Sequence, residues 1–216
     1  MASMRTVTNT SLKPAHDAFT EKKSEFIGDM CHISTLDEAA EVVATIREQH
    51  PKARHVAYAA VCGDANGRLC ERMSDDGEPS GTAGKPILDV IRSADLTDCV
   101  ITVTRYFGGI LLGSGGLTRA YSHAASLALN SSNIADIVEC FRLNCAVEYQ
   151  NLRMLKHLIM KADGSVENET YGVNINLDII VPIEKEEELV TQVKNTFAGT
   201  VKLVNSGKSR MILPRK

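Results

Sequence analysis

No run of apolar residues in this 216-residue chain approaches the roughly 20 needed to cross a bilayer, so a membrane-spanning role is not expected. Met1 to Asp17 lack the apolar core of a secretory leader, which places the expected compartment in the cytoplasm. The six cysteines (31, 62, 70, 99, 140 and 145) form no C-x-x-C and no paired spacing with the six histidines, so neither a zinc site nor a disulfide framework is read from them. Bulk positive charge is also missing. Residues 1–135 carry 13 basic against 16 acidic side chains and residues 136–216 carry 11 of each, so nucleic-acid binding would need a local basic groove. Internal repeats and low-complexity segments are absent. A 44% hydrophobic and 24% charged composition excludes disorder as the general state.

Glycine is plentiful in two places. Residues 74–86 read SDDGEPSGTAGKP and residues 102–119 read TVTRYFGGILLGSGGLTR, two Gly-rich loops that each end at an expected helix start. Around them, a polar leader is followed by a strand over 24–34. Thr35-x-x-Glu38 opens a helix that carries Ala39, Val42, Val43 and Ile46 at helical spacing and stops at Pro51. His55–Cys62 reads as a strand, Asp64-Ala65-Asn66-Gly67 as a turn and 68–73 as its hairpin partner. Pro86–Ser93 suits a short helix and the β-branched run Cys99–Tyr106 an inner strand. From Gly115 to Asn130 a helix lays Leu117, Ala120, Tyr121, Ala124 and Ala128 on one face. Texture changes after residue 130. The C-terminal part of the chain reads strand (137–147), helix (149–161), two strands (164–181), helix (184–198) and strand (200–206), with the last ten residues a frayed tail. The expected domains are 1–135 and 136–216.

The second loop places Gly108, Gly109, Gly113, Gly115 and Gly116 between an inner strand and a helix start, where exposed amides and a helix dipole make an anion nest that Arg105 and Arg119 can complete. The plainer reading is two tight turns, with the arginines paired to Asp75, Asp76 or Glu78. Lys85 and Arg54 are further cations. Asp75, Asp76 and Glu78 are candidate magnesium ligands or turn caps. Ser80 and Thr82 are hydroxyl nucleophiles only if a base reaches them, and turn residues otherwise. His55 points into the same cleft or serves a structural role. Phe107, like Tyr106, stacks on bases or packs in the core. The second loop also resembles the phosphate loop of GHMP-type kinases, but lacks the fuller Gly-Leu-Gly-Ser-Ser-Ala pattern. No catalytic residue and no metal ligand is assigned.

SDDGEPSGTAGKPIL and VTRYFGGILLGSGGLTRAY, with Arg54-His55-Val56-Ala57-Tyr58 and Lys23-Ser24-Glu25-Phe26-Ile27 before them, resemble the IMPACT family and most closely its bacterial two-domain, YigZ-like branch. Arg54 beside His55 is a departure, and Leu111 stands where many members have a lysine, which removes a charge from the loop. The resemblance implies an α+β chain: an N-terminal domain like domain 2 of ribosomal protein S5, then a ferredoxin-like βαββαβ domain. It also implies a non-enzymatic, translation-linked regulator without a cofactor, whose cleft meets RNA, the ribosome or a translation-associated protein. No DNA specificity is implied. The rival expectation is a small-molecule phosphotransferase or hydrolase that holds phosphate on the Gly-rich loop and magnesium on Asp75 and Asp76.

Overall fold

The computed structural model describes residues 4–63 and 68–214, so the turn expected at Asp64-Ala65-Asn66-Gly67 lies outside the described residues. The chain divides into two compact units, residues 1–136 with 214–216 and residues 137–213. No helix among the described residues is long and apolar enough to cross a membrane.

The first unit runs β1 (Met4–Val7), β2 (Ala15–Glu21), β3 (Ser24–His32), α1 (Leu36–Gln49), β4 (His55–Gly63), β5 (Leu69–Ser74), α2 (Gly84–Ser93), β6 (Cys99–Tyr106) and α3 (Ser114–Asn130). Five strands form one antiparallel sheet in the order β2-β3-β6-β4-β5. The β-branched run of β6 thus lies at its centre, between β3 and β4. Side chains alternate across the sheet with period two. Phe26, Met30, Ala57, Ala59, Val61, Ile101 and Val103 share a core with Ile87 and Ile91 of α2 and with Leu117, Tyr121, Ala124 and Ala128 of α3. Cys31, Val56, Ala60 and Val100 pack instead with Ala39, Val42 and Ile46 of α1. Thr35 caps α1 by accepting the Glu38 amide at 3.3 Å, while the Glu38 carboxylate reaches back to the Ser34 amide at 2.8 Å. The alanine face lets α3 lie close on the sheet. A Cβ at Gly28 would stand 2.4 Å from the Ala124 carbonyl oxygen, so this strand position holds only glycine without displacing the helix.

The segment read as a polar leader contains β2, a correction with two physical causes. As an edge strand, β2 leaves much of its surface to solvent, so its composition is polar. The turn that joins it to β3 has positive φ at both Lys22 (46°) and Lys23 (64°), a left-handed turn built from residues that do not announce one.

On β6, Thr104 is fully buried and its hydroxyl has no hydrogen-bond partner among the described residues; its cross-strand neighbours are Ile27 and Val56. A buried orphan hydroxyl costs stability, and an isosteric methyl removes that cost. Thr104→Val is therefore expected to raise stability by about 1 kcal/mol, read as a higher urea midpoint with an unchanged slope.

The second unit holds most of β7 (Ile134–Val147), then α4 (Leu152–Lys161), β8 (Ser165–Tyr171), β9 (Ile175–Pro182), α5 (Glu186–Thr196) and most of β10 (Val204–Pro214). β7 and β8 both pair antiparallel with β9, and β10 pairs with β7, giving the order β10-β7-β9-β8. Leu143, Cys145, Ile175, Leu177 and Ile179 of the sheet share a core with Leu155 and Ile159 of α4 and Leu189 and Val193 of α5. Two expectations are corrected. Short 3-10 turns at Tyr149–Asn151 and Ile183–Lys185 delay the starts of both helices. The last strand starts at Val204 and not at residue 200, and it extends to Pro214 through a stretch expected to be a frayed tail; Gly207, Lys208 and Arg210 are exposed, which makes that stretch look like one.

Candidate functional site

Strand register builds the site. Arg105, next to last on β6, sits opposite His55 at the start of β4 on one side and Phe26 of β3 on the other. Its guanidinium lies 5.4 Å from the ring centroids of both Phe26 and Phe107. Arg105 Nη1 donates to Glu78 Oε1 at 2.6 Å, and the Tyr121 hydroxyl from α3 donates to the same oxygen at 2.8 Å. Arg105 is 5% exposed and Glu78 9%, so this ion pair is buried and ties the two Gly-rich loops together. Burial first, and then the Glu78 charge, push the Tyr121 phenol far above its ordinary range, which keeps it a donor. His55 Nδ1 is 2.7 Å from the Asp76 carbonyl oxygen, which only accepts, so Nδ1 carries the proton and Nε2 faces Glu78 Oε1 at 3.8 Å.

The first loop is held by its own carboxylates. Asp75 accepts the amides of Gly81 (2.8 Å), Ala83 (3.0 Å) and Gly84 (2.8 Å), which occupies the start of α2. Burial works to raise the Asp75 carboxyl, but these three amides outweigh it and hold it below the ordinary range. Asp76 accepts the Val56 amide at 2.6 Å with one oxygen and pairs with Arg47 at 2.7 Å with the other. The magnesium site of the rival expectation finds no support in this geometry, because the Asp75 and Asp76 oxygens are engaged by amides and an arginine. Among the described residues no group of three or more His, Cys, Asp or Glu side chains is placed to hold a metal. Thr82 donates to the Pro79 carbonyl at 2.6 Å and acts as a turn residue. Ser80 is exposed, and Lys85 is exposed and paired with Asp89 at 3.2 Å.

The second loop starts with a close approach. A Cβ on Gly108 would come within 2.0 Å of the Lys23 backbone, and the Gly108 amide donates to Ser24 Oγ at 3.1 Å. Gly109 and Gly113 have φ of 84° and 74°. The 17-residue α3 then begins without a side-chain cap and without an acidic residue in its first turn, where Gly115 and Gly116 lie. Arg119 comes one turn later, exposed. Across the loop, the exposed Arg54 places its guanidinium 5.8 Å from the Phe107 ring centroid.

These elements enclose a cleft of about 340 Å³. Of the residues singled out in the sequence, Arg54, His55, Glu78, Arg105, Phe107 and Gly113 line it. Asp75, Asp76, Thr82, Gly108 and Gly109 shape the loops, Gly115 and Gly116 form the first turn of α3, and Ser80, Lys85 and Arg119 stand outside the lining. Gly77, Pro79, Leu111, Leu112, Ser114 and Leu117 complete the walls. Tyr121 was read only as part of an apolar helix face, although a tyrosine buried among alanines needs a partner for its hydroxyl. Of the two loop arginines expected to pair with Asp75, Asp76 or Glu78, Arg105 pairs with Glu78, while Asp76 is paired with Arg47 of α1.

Residues 22–129 match the model of the Impact N-terminal domain, and residues 145–200 match a domain of unknown function, DUF1949. An IMPACT family member from Haemophilus influenzae is 37% identical over 82% of this chain and 86% of its own length. The IMPACT family member YigZ from Escherichia coli is 33% identical over 85% of this chain and 90% of its own. A solved structure described as a hypothetical protein superposes with a TM-score of 0.66 at 31% identity, covering 94% of this chain and 97% of that one. The chain therefore belongs to the IMPACT family, in its bacterial two-domain, YigZ-like branch.

Proposed function

We propose that the protein is a non-enzymatic, cytoplasmic binding protein linked to translation, and that the cleft of its N-terminal domain contacts RNA. The carrying observation is the mouth of that cleft, where the exposed Arg54 guanidinium lies over Phe107 beside the uncapped start of α3. A cation, an aromatic face and free helix amides in one place suit a phosphate backbone with its bases. A binding role is supported by how the polar groups are used. Glu78 Oε1 accepts from both Arg105 and Tyr121, His55 Nδ1 is engaged by a backbone carbonyl, and among the described residues no base is hydrogen-bonded to the Ser114 hydroxyl on the cleft wall. Two functional domains, 1–135 and 136–216, go with this reading. The strand order β2-β3-β6-β4-β5 supports an S5 domain-2-like assignment for the first, and the order β10-β7-β9-β8 a ferredoxin-like assignment for the second.

Co-sedimentation with ribosomes and filter binding to single-stranded RNA, each across a salt series, test the reading. Binding is expected at low salt and is lost as salt rises. Each phosphate contact contributes a slope of about 0.7 in the logarithm of affinity against that of salt, so Arg54→Glu is expected to flatten the slope by about that much and weaken binding severalfold. Absence of both ribosome and RNA binding at low salt would sink the proposal. Arg105 is unsuited to this test, because its charge is consumed inside the fold.

A further inference from the structure

We infer that the cleft accommodates one unstacked nucleotide, its base against Phe107 with an N–H donated to Glu78 Oε2 and its phosphate at the first turn of α3. This deepens the nucleic-acid reading of the same cleft and rests on it. Three observations carry it, each excluding a simpler ligand.

The first is the unused half of a buried carboxylate. Glu78 Oε1 already accepts from Arg105 and Tyr121, whereas Oε2 takes no hydrogen bond from the described residues, and the carboxylate lines the cleft. The Glu78 side chain is only 4% exposed at the cleft floor, and its unused oxygen there favours a donor and repels a bare anion that has none. The second is the start of α3. At α2 the equivalent amides are taken by Asp75, but at α3 there is neither a side-chain cap nor an acid, and Gly113 and Ser114 open onto the cleft. With Arg54 alongside, that end favours an anion and disfavours a bare cation, the other group that would satisfy Glu78. The third is the ring between them. Phe107 is 38% exposed and has guanidinium groups within 6 Å from Arg54 and Arg105, so one edge of a planar slot is already ordered. Donor, planar apolar body and anion therefore fit one small molecule or chain unit, and about 340 Å³ is room for one nucleotide. A base N–H beside a phosphate meets all three requirements.

The test uses the full chain and amide NMR titration with uridine 5′-monophosphate, its N3-methyl derivative, ribose 5-phosphate and a short oligouridylate. Uridine monophosphate is expected to shift the amides of the 107–117 segment. Loss of the base, or of its N–H by methylation, is expected to weaken binding about tenfold, and Phe107→Leu to do the same while the fold, read from the remaining amides, stays intact. If only the oligouridylate binds, with the same loss in Phe107→Leu, the nucleotide is taken as part of a strand and the inference stands. Equal binding of ribose 5-phosphate and uridine monophosphate would reduce the cleft to a bare anion site and overturn it. So would oligouridylate binding that ignores Phe107→Leu, or no shift with any of the four. Mononucleotide binding without ribosome co-sedimentation keeps this inference and sinks the translation-linked role; ribosome binding unaffected by Phe107→Leu does the reverse.

Discussion

Arg105→Met is expected to lower stability by about 3–5 kcal/mol in urea unfolding, an effect far larger than a surface arginine commands. Arg105 and Glu78 are 5% and 9% exposed, so methionine leaves the Glu78 carboxylate buried without its cation. The Tyr121 hydroxyl satisfies only part of what is lost, because it donates one hydrogen bond and carries no charge. Met keeps most of the packing against Phe26 and Phe107, so the loss reports charge rather than volume. Removing both partners is predicted to be milder than removing one. Glu78→Leu with Arg105→Met leaves no unpaired charge and strands only the Tyr121 hydroxyl, a cost of about 1–3 kcal/mol. Additive losses in the double variant would show that the pair is not coupled and that the two loops are held by something else. Because Arg105 comes from β6 and Glu78 from the first Gly-rich loop, the single variant is also expected to loosen the cleft, seen as faster amide exchange over 75–84.

How much of this could be read from the chain depends on which signals are local. α1 and α3 were legible because each buries one face and its apolar residues repeat with the helical period, which alone put Tyr121 on the alanine face of α3. β3 and β6 are buried on both faces, and the central place of β6 was legible from its run of β-branched residues. β2 was not legible, since an edge strand needs few apolar residues and its turn uses Lys22 and Lys23 in place of Asn-Gly. β10 was cut short because Gly207-Lys208-Ser209-Arg210 within it is polar and largely exposed. At the site, residue type was legible and direction was not. Asp75, Asp76 and Glu78 are neighbours in sequence, yet one carboxylate turns to the start of α2, one to Val56 and Arg47, and one to the cleft. The backbone decides this: φ is +46° at Asp76 and +82° at Gly77, which turns the chain between them. Arg105 and Glu78, 27 residues apart, meet because the register sets Arg105 beside His55, and a loop sequence carries no record of that register.

Raising the pH from 8 to 10 under reducing conditions is expected to remove about 3 kcal/mol of stability through Cys31 and Cys99 alone. Burial, followed by the charges of Asp29 and Glu38, pushes the Cys31 thiol up to about 12. Burial, followed by Asp98, raises the fully buried Cys99 further still. Both folded-state values lie above that of an unfolded thiol, near 9, so the folded chain keeps protons that the unfolded chain releases. The stabilisation is therefore complete below about pH 8 and falls by about 1.4 kcal/mol per thiol per pH unit above 9. Cys62, raised to about 12 by burial and then by Asp98, adds to the same slope, and Tyr121 joins it above about pH 10. These four groups all lie within residues 1–136, whereas residues 137–213 hold Cys145, raised to about 11 by burial, and Cys140, raised less. The transition of the first unit should consequently move to lower urea much faster than that of the second as pH rises. Following each unit by its own tyrosine and amide resonances at pH 7, 9 and 10 makes the comparison. Parallel shifts would mean that the thiols of the first unit ionise in place, which their packing between the sheet and its helices does not allow.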